Sequence, residues 1–209
     1  MREGPLPFKT PMVRATLSDI KLMTRRIVKV QPDAVHDGEP YWFIGGYRVW
    51  AYRPAPAVPL RAGGSPMPCP YGQRGDRLWV REAWRTVSAV DHLPPRELTP
   101  AHRIWYEADA PHQPGFGKLR PSMFMPRWVS RITLEITRVR VERLQDISDA
   151  DCVAEGCGAL PSAIGCPMTS GTGETIPRAM FRALWESING PGSWDANPWV
   201  WVVEFRRLP

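Results

Sequence analysis

The sequence lacks a long hydrophobic run. No segment approaches the roughly 18 consecutive apolar residues that a membrane-spanning helix needs, so we predict no membrane partner. The first residues, MREGPLPFKTP, contain three prolines and none of the apolar core of a secretory signal. We therefore expect a cytoplasmic protein.

Histidine is scarce and poorly placed for catalysis. His36, His92, His102 and His112 all lie in proline-rich segments, without the i, i+4 spacing of a helical metal site. The sequence also contains no G-x-S-x-G elbow, no P-loop and no G-x-G-x-x-G motif. Any chemistry must therefore depend on Lys, Thr, Arg, Glu or Asp, and we predict neither a metal nor a cofactor.

The cysteines do not form the two close pairs that are typical of a zinc site. Cys152, Cys157 and Cys166 are separated by four and eight residues, and Cys69 lies far upstream. In a cytoplasmic protein this pattern favours free thiols, buried or in loops, over metal ligands.

Positive charge, tryptophan and proline are all plentiful. Lys and Arg number 27 against 21 Asp and Glu, which gives a net charge of +6 and suits a polyanionic partner. The 10 tryptophans supply large faces for core packing or for stacking on bases. The 24 prolines indicate long loops and few long helices.

Hydrophobic periodicity predicts the main elements. Apolar residues at helical spacing predict a helix over 10–22, and the following MTRRIVKV is extended. Residues 130–144 alternate as a long strand, but the apolar parity changes near Thr137–Arg138, which predicts a β-bulge there. The last strand, PWVWVVEF, is apolar on both faces and is therefore expected at the centre of a sheet.

The remaining elements are short. We predict strands within 75–84 and 103–109, a helix after Ser148 and a helix with its apolar stripe over 180–188. Loop excursions are expected at about 31–74, 86–103 and 157–174. The fold class is mainly β with α (α+β): a small curled β-barrel with flanking short helices and long proline-rich loops, in one domain over 1–209.

The segment IKLMTRRIV, residues 20–28, carries the best candidate chemistry. The Thr24 hydroxyl is a weak nucleophile at neutral pH and needs a base, and the Lys21 amine is one if its pKa is lowered. The neighbouring Arg25 and Arg26 disfavour a second positive charge and would stabilise an anion. From the residues alone, a solvated helix end explains these four residues better than a site does.

A carboxylate is needed to complete such a site. Glu82, on the apolar face of a predicted strand, and Glu155, in the helix after the long strand, are both candidates. The residues alone do not choose between them.

Four blocks of sequence resemble, in order, the motifs of the ASCH domain in the PUA-like superfamily: IKLMTRRI, GQRGDRLWVREAW, MPRWVSRITLEIT and ISDADCVAEG. Uncharacterised ASCH proteins of phages and prophages also end in a strand similar to W-x-x-NPWVWVVEF. The resemblance covers about half of the chain. It implies a PUA-like barrel of about six strands and a location in the cytoplasm of a bacterial or phage-infected cell.

One bacterial branch of ASCH proteins hydrolyses N4-acetylcytidine to cytidine and acetate. The resemblance implies Thr24 as the nucleophile, Lys21 as its base, and Glu155 as the group that orients Lys21 or passes a proton to the leaving amine. The branch is about half as long as this chain. Its motif is closer to Lys-Thr-x-Thr, whereas Leu22 and Met23 separate Lys21 from Thr24 here.

Three functions therefore compete. The leading hypothesis is an amidohydrolase that acts on N4-acylated cytosine nucleosides, with Trp79, Trp84 or Trp128 available to stack on the base. The second is an RNA-binding or single-stranded nucleic-acid-binding module, with or without ribonuclease activity, and the third is a scaffold that uses its loops as contacts. We predict these substrate-binding residues: Arg25, Arg26, Arg81, Glu82, Trp84 and Arg131.

Overall fold

The computed structural model describes residues 1–36, 39–44, 47–50, 67–109, 113–157 and 174–209, with the backbone alone between 34 and 50. Within these residues the protein is a mixed α/β structure with few helices. The strands are β1 Glu3–Pro7, β2 Met23–Ile27, β3 Ala34–His36, β4 Glu39–Ile44, β5 Tyr47–Trp50, β6 Arg77–Arg81, β7 Trp84–Arg85, β8 Trp105–Tyr106, β9 Thr133–Arg143 and β10 Trp199–Arg207. The α-helices are α1 Thr10–Leu17, α2 Asp149–Ala154 and α3 Ile176–Asn189.

A five-stranded mixed sheet organises the described residues. Its order is β1-β6-β9-β10-β2, and only β1 and β6 run parallel. The central position predicted for the last strand is confirmed, because β10 lies between β9 and β2. A three-stranded antiparallel sheet, β3-β4-β5, and the β7-β8 pair complete the strands.

The predicted bulge is confirmed in the longest strand. Along β10, Phe205 pairs with Ile136 while its neighbour Glu204 pairs with Arg138, so Thr137 is the extra residue. A bulge adds local twist and bends the strand. It also explains why the apolar parity of β9 changes at this point, since the residues on either side must still face the same core.

Both faces of β10 are buried. Trp199, Trp201, Val203 and Phe205 contribute to a core with β1, β6, β9 and α1. The alternate positions, Val200 and Val202, contribute to a second core with α2 and α3. A third, smaller cluster surrounds Trp84.

The predicted closure into a barrel is not found among the described strands. β1 and β2 are the two edges of the sheet and do not pair with each other. Pro5 and Pro7 lie in β1, and proline has no N–H to donate to a further strand. The opening between these two edges matters for the candidate site described below.

Three local predictions need correction. The helix predicted over 10–22 ends at Leu17, because Asp19 adopts a positive φ of 54° and the N–H groups of Ile20 and Lys21 both donate to the Ala15 carbonyl. The strand predicted within 75–84 ends at Arg81, which leaves Glu82 between two strands.

The third correction concerns the excursion at 31–74, which contains β3, β4 and β5. Ile44 pairs with Tyr47, and the sequence between them, Gly-Gly, is a dipeptide typical of hairpins that the prediction overlooked. Most of the excursion at 157–174 lies outside the described residues. None of the described helices is long and apolar enough to cross a membrane.

The Ser148 cap positions α2, which contains Asp151 and is followed directly by Glu155. The Ser148 hydroxyl accepts the Asp151 N–H at 3.1 Å, as the sequence predicts. We expect Ser148→Ala to lower the free energy of unfolding by about 1 kcal/mol, measured by urea denaturation. Ser88→Ala, at an exposed position that caps no α-helix, is the matched control. An unchanged unfolding midpoint in Ser148→Ala would contradict this role.

Candidate functional site

A cavity of about 290 Å³ lies along the free edge of β2. Its walls come from the end of β1 and start of α1, from β2, from α3, and from Tyr71 and Glu155. The cavity thus occupies the region where a β1–β2 pairing would have closed the sheet. Its lining residues are Pro7, Lys9, Met12, Thr24, Arg25, Arg26, Ile27, Lys29, Tyr71, Glu155, Phe181, Leu184, Trp185, Ile188 and Asn189.

The backbone of β2 offers polar groups on this free edge. Phe205 N–H donates to the Leu22 carbonyl and Val28 N–H to the Trp199 carbonyl. Because backbone groups alternate in direction along an antiparallel strand, those of Arg25 and Ile27 point away from β10. Among the described residues these groups have no backbone partner. An exposed donor and acceptor pair of this kind suits the hydrogen-bonding edge of a planar ligand.

The centre of the site is a buried ion pair. Lys21 Nζ donates to Glu155 Oε2 at 2.6 Å and to the Glu155 carbonyl oxygen at 2.9 Å. Lys21 is 1% exposed and Glu155 is 4% exposed. Glu155 lines the cavity, whereas Lys21 lies behind it. Of the two carboxylates that the sequence left as candidates, Glu155 is therefore the one that contacts Lys21.

Burial lowers the pKa of the Lys21 ammonium, and the nearby charge of Glu155 acts in the opposite direction. Arg26 lowers this pKa further by repulsion. The Phe8 ring, with its centroid 5.4 Å from Nζ, covers the lysine. Lys21 is therefore set closer to its neutral amine form than an exposed lysine would be.

Thr24 lies on β2 with its side chain 4% exposed and lines the same cavity as Glu155. Among the described residues no hydrogen bond joins Thr24 to Lys21; the lysine contacts Glu155 instead. The Thr24 hydroxyl is thus available to a ligand in the cavity. Of the three residues that the resemblance implies, Thr24 and Glu155 line one cavity, and Lys21 contacts Glu155 from behind the cavity wall.

Arg25 connects this pair to a wider ion network. Its Nη2 donates to Asp151 Oδ2 at 2.6 Å and also to Glu142, while Nη1 lies 3.5 Å from Glu155 Oε1. Arg140 binds the same Asp151 oxygen at 2.7 Å and also contacts Glu142 and Glu204. The network fixes Glu155 from the side opposite Lys21. Arg25 therefore contributes more to organising the site than to binding a substrate.

Arg26 and two lysines make the mouth of the cavity basic. Arg26 Nη2 donates to the Pro7 carbonyl at 2.8 Å and so bridges the two sheet edges. Lys9 and Lys29 are exposed beside it. Among the described residues, no carboxylate lies within ion-pair distance of these three cations.

Four predicted substrate-binding residues lie outside the cavity lining: Arg81, Glu82, Trp84 and Arg131. Arg131 binds Glu82 through two hydrogen bonds of 2.9 and 3.0 Å, donates to Asp109 at 2.6 Å and packs on the Tyr106 ring. Burial raises the pKa of Glu82, against the effect of Arg131. Both carboxylates of this cluster thus bond to Arg131, which is typical of a structural ion pair.

The tryptophans offered for stacking also lie away from the cavity. Trp84 is fully buried, and Trp79 is buried with Arg81 and Arg127 against its ring. Trp128 is 38% exposed but does not line the cavity. The aromatic wall is instead formed by Tyr71, Phe181 and Trp185.

Sequence reasoning missed several residues of the site. Phe181 and Trp185 belong to the apolar stripe predicted over 180–188, and in the structure both contribute to the second core and also line the cavity. Tyr71 belongs to the loop excursion predicted at 31–74. The alternation of Arg140 and Glu142 on one face of β9 was the available sign of the ion network, together with Glu204 at the end of the apolar strand.

No disulfide bond joins the cysteines of the described residues. Cys69, Cys152 and Cys157 are all buried. Burial raises the pKa of Cys152 to about 12 and that of Cys69 to about 11. No group of three or more His, Cys, Asp or Glu side chains in the described part of the chain is placed to hold a metal. Cys166 and His112 lie outside that part.

Comparison with models of known families, with curated proteins and with solved structures finds no match to this chain. The site must therefore be interpreted from its own geometry. That geometry is a cavity with a threonine hydroxyl and a lysine-bound carboxylate at its wall, an aromatic side and a cationic mouth.

The buried pair gives a test of the site's electrostatics. We expect Glu155→Gln to lower the free energy of unfolding by about 3 kcal/mol at pH 7, because it leaves a buried ammonium without its carboxylate. Removing Glu155 also lowers the pKa of Lys21 further. Between that pKa and the ordinary value of 10.5, the unfolded chain binds more protons than the folded chain, so folded-state stability rises with pH.

The loss in free energy of unfolding caused by Glu155→Gln should consequently become smaller as the pH rises from 7 towards 10. Denaturant unfolding at each pH measures it. Glu97→Gln removes an exposed carboxylate and serves as the control, with little effect at any pH. If the stability loss of Glu155→Gln stays constant with pH, the charge of Lys21 is not the cause of that loss.

Proposed function

We propose that this protein is an amidohydrolase of the ASCH type, which removes the acyl group from N4-acylated cytosine nucleosides. The observation that carries the proposal is the Lys21–Glu155 pair buried at the wall of a cavity that Thr24 also lines. A nucleophile, a base of lowered pKa and a carboxylate are the groups that acyl transfer requires. They need no metal for this route.

The cavity supports a ligand of nucleoside size. Its volume of about 290 Å³ lies near the lower end of the range of roughly 300–1,000 Å³ for small-molecule sites. The aromatic wall and the free edge of β2 suit a flat ring with donor and acceptor groups at its rim. These features favour a modified base over an extended polymer as the reacting group.

The proposed reaction begins with transfer of the Lys21 proton to Glu155 across their 2.6 Å contact. The neutral amine then accepts the Thr24 proton while Oγ attacks the acyl carbon, which forms a tetrahedral oxyanion. Collapse of this intermediate breaks the carbon–nitrogen bond, and Glu155 gives its proton to the leaving N4 amine. Lys21 is left as ammonium and Glu155 as carboxylate, as at the start.

Water completes the cycle by hydrolysing the Thr24 ester. The same proton transfer from Lys21 to Glu155 returns the amine, which takes a proton from the attacking water. Collapse of this second intermediate breaks the ester bond, and Glu155 gives its proton to the departing Thr24 oxygen, which restores the Thr24 hydroxyl and the Glu155 carboxylate. The released acid, acetic acid when the acyl group is acetyl, loses its proton to the solvent and leaves as the carboxylate. Cationic Arg25 lines the cavity and would favour the oxyanion.

Release of cytidine from N4-acetylcytidine, followed by chromatography, tests the reaction. We expect Thr24→Ala to lower kcat by at least about a thousandfold, because the nucleophile is lost, and Thr24→Ser to retain activity. Lys21→Met and Glu155→Gln should both be inactive at neutral pH. Thr133→Ala, on β9 outside the cavity lining, is the matched control and should behave as wild type.

A nucleic-acid-binding module without catalysis is the second candidate, favoured by the three cations at the cavity mouth that have no ion pair with any described residue. Folded wild-type protein that releases no cytidine would reject the hydrolase and leave this alternative. Its affinity for single-stranded RNA should then fall steeply as salt rises.

A further inference from the structure

The mouth of the cavity holds positive charge that the proposed deacylation does not use. Glu155 is the one carboxylate among the described lining residues, and Lys21 and Arg25 already neutralise it. In the described part of the chain, no carboxylate lies within ion-pair distance of Arg26, Lys9 or Lys29. An excess of this kind favours an anionic ligand.

Arg26 is the best placed of these cations. Its Nη2 is held by the Pro7 carbonyl, which restricts the guanidinium, while its Nε is buried and has no hydrogen-bond partner in the described residues. A buried N–H without a partner is unfavourable unless a ligand accepts it. Guanidinium groups match the geometry of phosphate oxygens.

Tyr71 adds a second donor next to Arg26. Both residues line the cavity. Burial raises the pKa of the Tyr71 phenol, although Arg26 opposes this, so the hydroxyl keeps its proton at neutral pH. The Tyr71 hydroxyl donates to no other described residue.

We propose that Arg26, Tyr71 and Lys29 form a phosphate subsite, and that the substrate is a phosphorylated cytosine nucleoside instead of the free nucleoside. The identity of the base rests on the proposed function; the subsite rests on the cavity alone. Thr24 and Arg26 are two residues apart on one face of β2, about 7 Å along the strand. A phosphate at Arg26 therefore leaves Thr24 free for the acyl group.

Calorimetric titration with cytidine and with cytidine 5′-monophosphate tests the subsite without requiring any reaction. The monophosphate should bind at least about tenfold more tightly, because a charged hydrogen bond is worth roughly this factor. Arg26→Gln should abolish the difference, and Tyr71→Phe, which removes only a hydroxyl, should reduce it severalfold. Arg96→Gln, at an exposed arginine outside the cavity lining, should leave it unchanged.

Equal affinities for the two ligands, or no measurable binding of either, would overturn the subsite. A difference that survives in both Arg26→Gln and Tyr71→Phe would also overturn it, and Tyr71→Phe keeps the test decisive if Arg26→Gln does not fold. A short oligocytidine distinguishes the source of the phosphate: tighter binding than the monophosphate indicates an RNA strand, and equal binding indicates a mononucleotide.

The subsite and the proposed reaction fail in different ways. Preferential binding of the monophosphate with no cytidine released from acylated substrates would retain the subsite and reject the hydrolase. Equal kcat/KM for N4-acetylcytidine and its 5′-monophosphate, with turnover of both, would retain the hydrolase and reject the subsite.

Discussion

The contact between Lys21 and Glu155 is the constraint on which the rest of the site depends. A buried ammonium and a buried carboxylate are each unfavourable alone, so each requires the other at short range. The contact also links two distant parts of the chain, since Leu22 N–H donates to the Ala154 carbonyl at 2.7 Å. Lys21 thereby holds the C-terminal end of α2 against the start of β2, and the cavity wall follows from that docking.

The surrounding ion network explains how so many charges are tolerated. Arg25 is almost fully buried, but its guanidinium has Asp151, Glu142 and Glu155 around it. Arg140 ties Glu142 and Asp151 together from the solvent side. Because removal of one member leaves its partners unpaired, the network favours a single arrangement of Glu155. A carboxylate held in this way is suited to repeated proton transfer.

The open edge of the sheet is the second determinant of the site. A β1–β2 pairing would have filled the space that the cavity occupies. The prolines of β1 supply no donors, and Arg26 spans the gap through its side chain instead. The same arginine bridges the sheet edges and carries the unpartnered Nε, so fold and ligand binding share one residue.

Much of the fold was predictable from local pattern. The change of parity in β9 predicted its bulge, because a strand with a buried face must keep its apolar residues on that face. The apolar run of β10 predicted a central strand, since both of its faces need cover. The spacing of Ser148 and Asp151 predicted the cap of α2. Each of these depends on residues that are neighbours in sequence.

The candidate site was likewise predictable only where its residues are close in sequence. The sequence by itself placed Lys21 and Thr24 three residues apart in the chain, and it left Glu82 and Glu155 as alternative carboxylates, of which a resemblance favoured Glu155. Tertiary structure alone decided that Glu155 faces Lys21 while Glu82 pairs with Arg131. It also decided that Tyr71 and α3 form the cavity wall. The physical reason is that burial and charge pairing act between residues far apart in the chain, 49 positions for Glu82 and Arg131 and 134 for Lys21 and Glu155, where local periodicity carries no information.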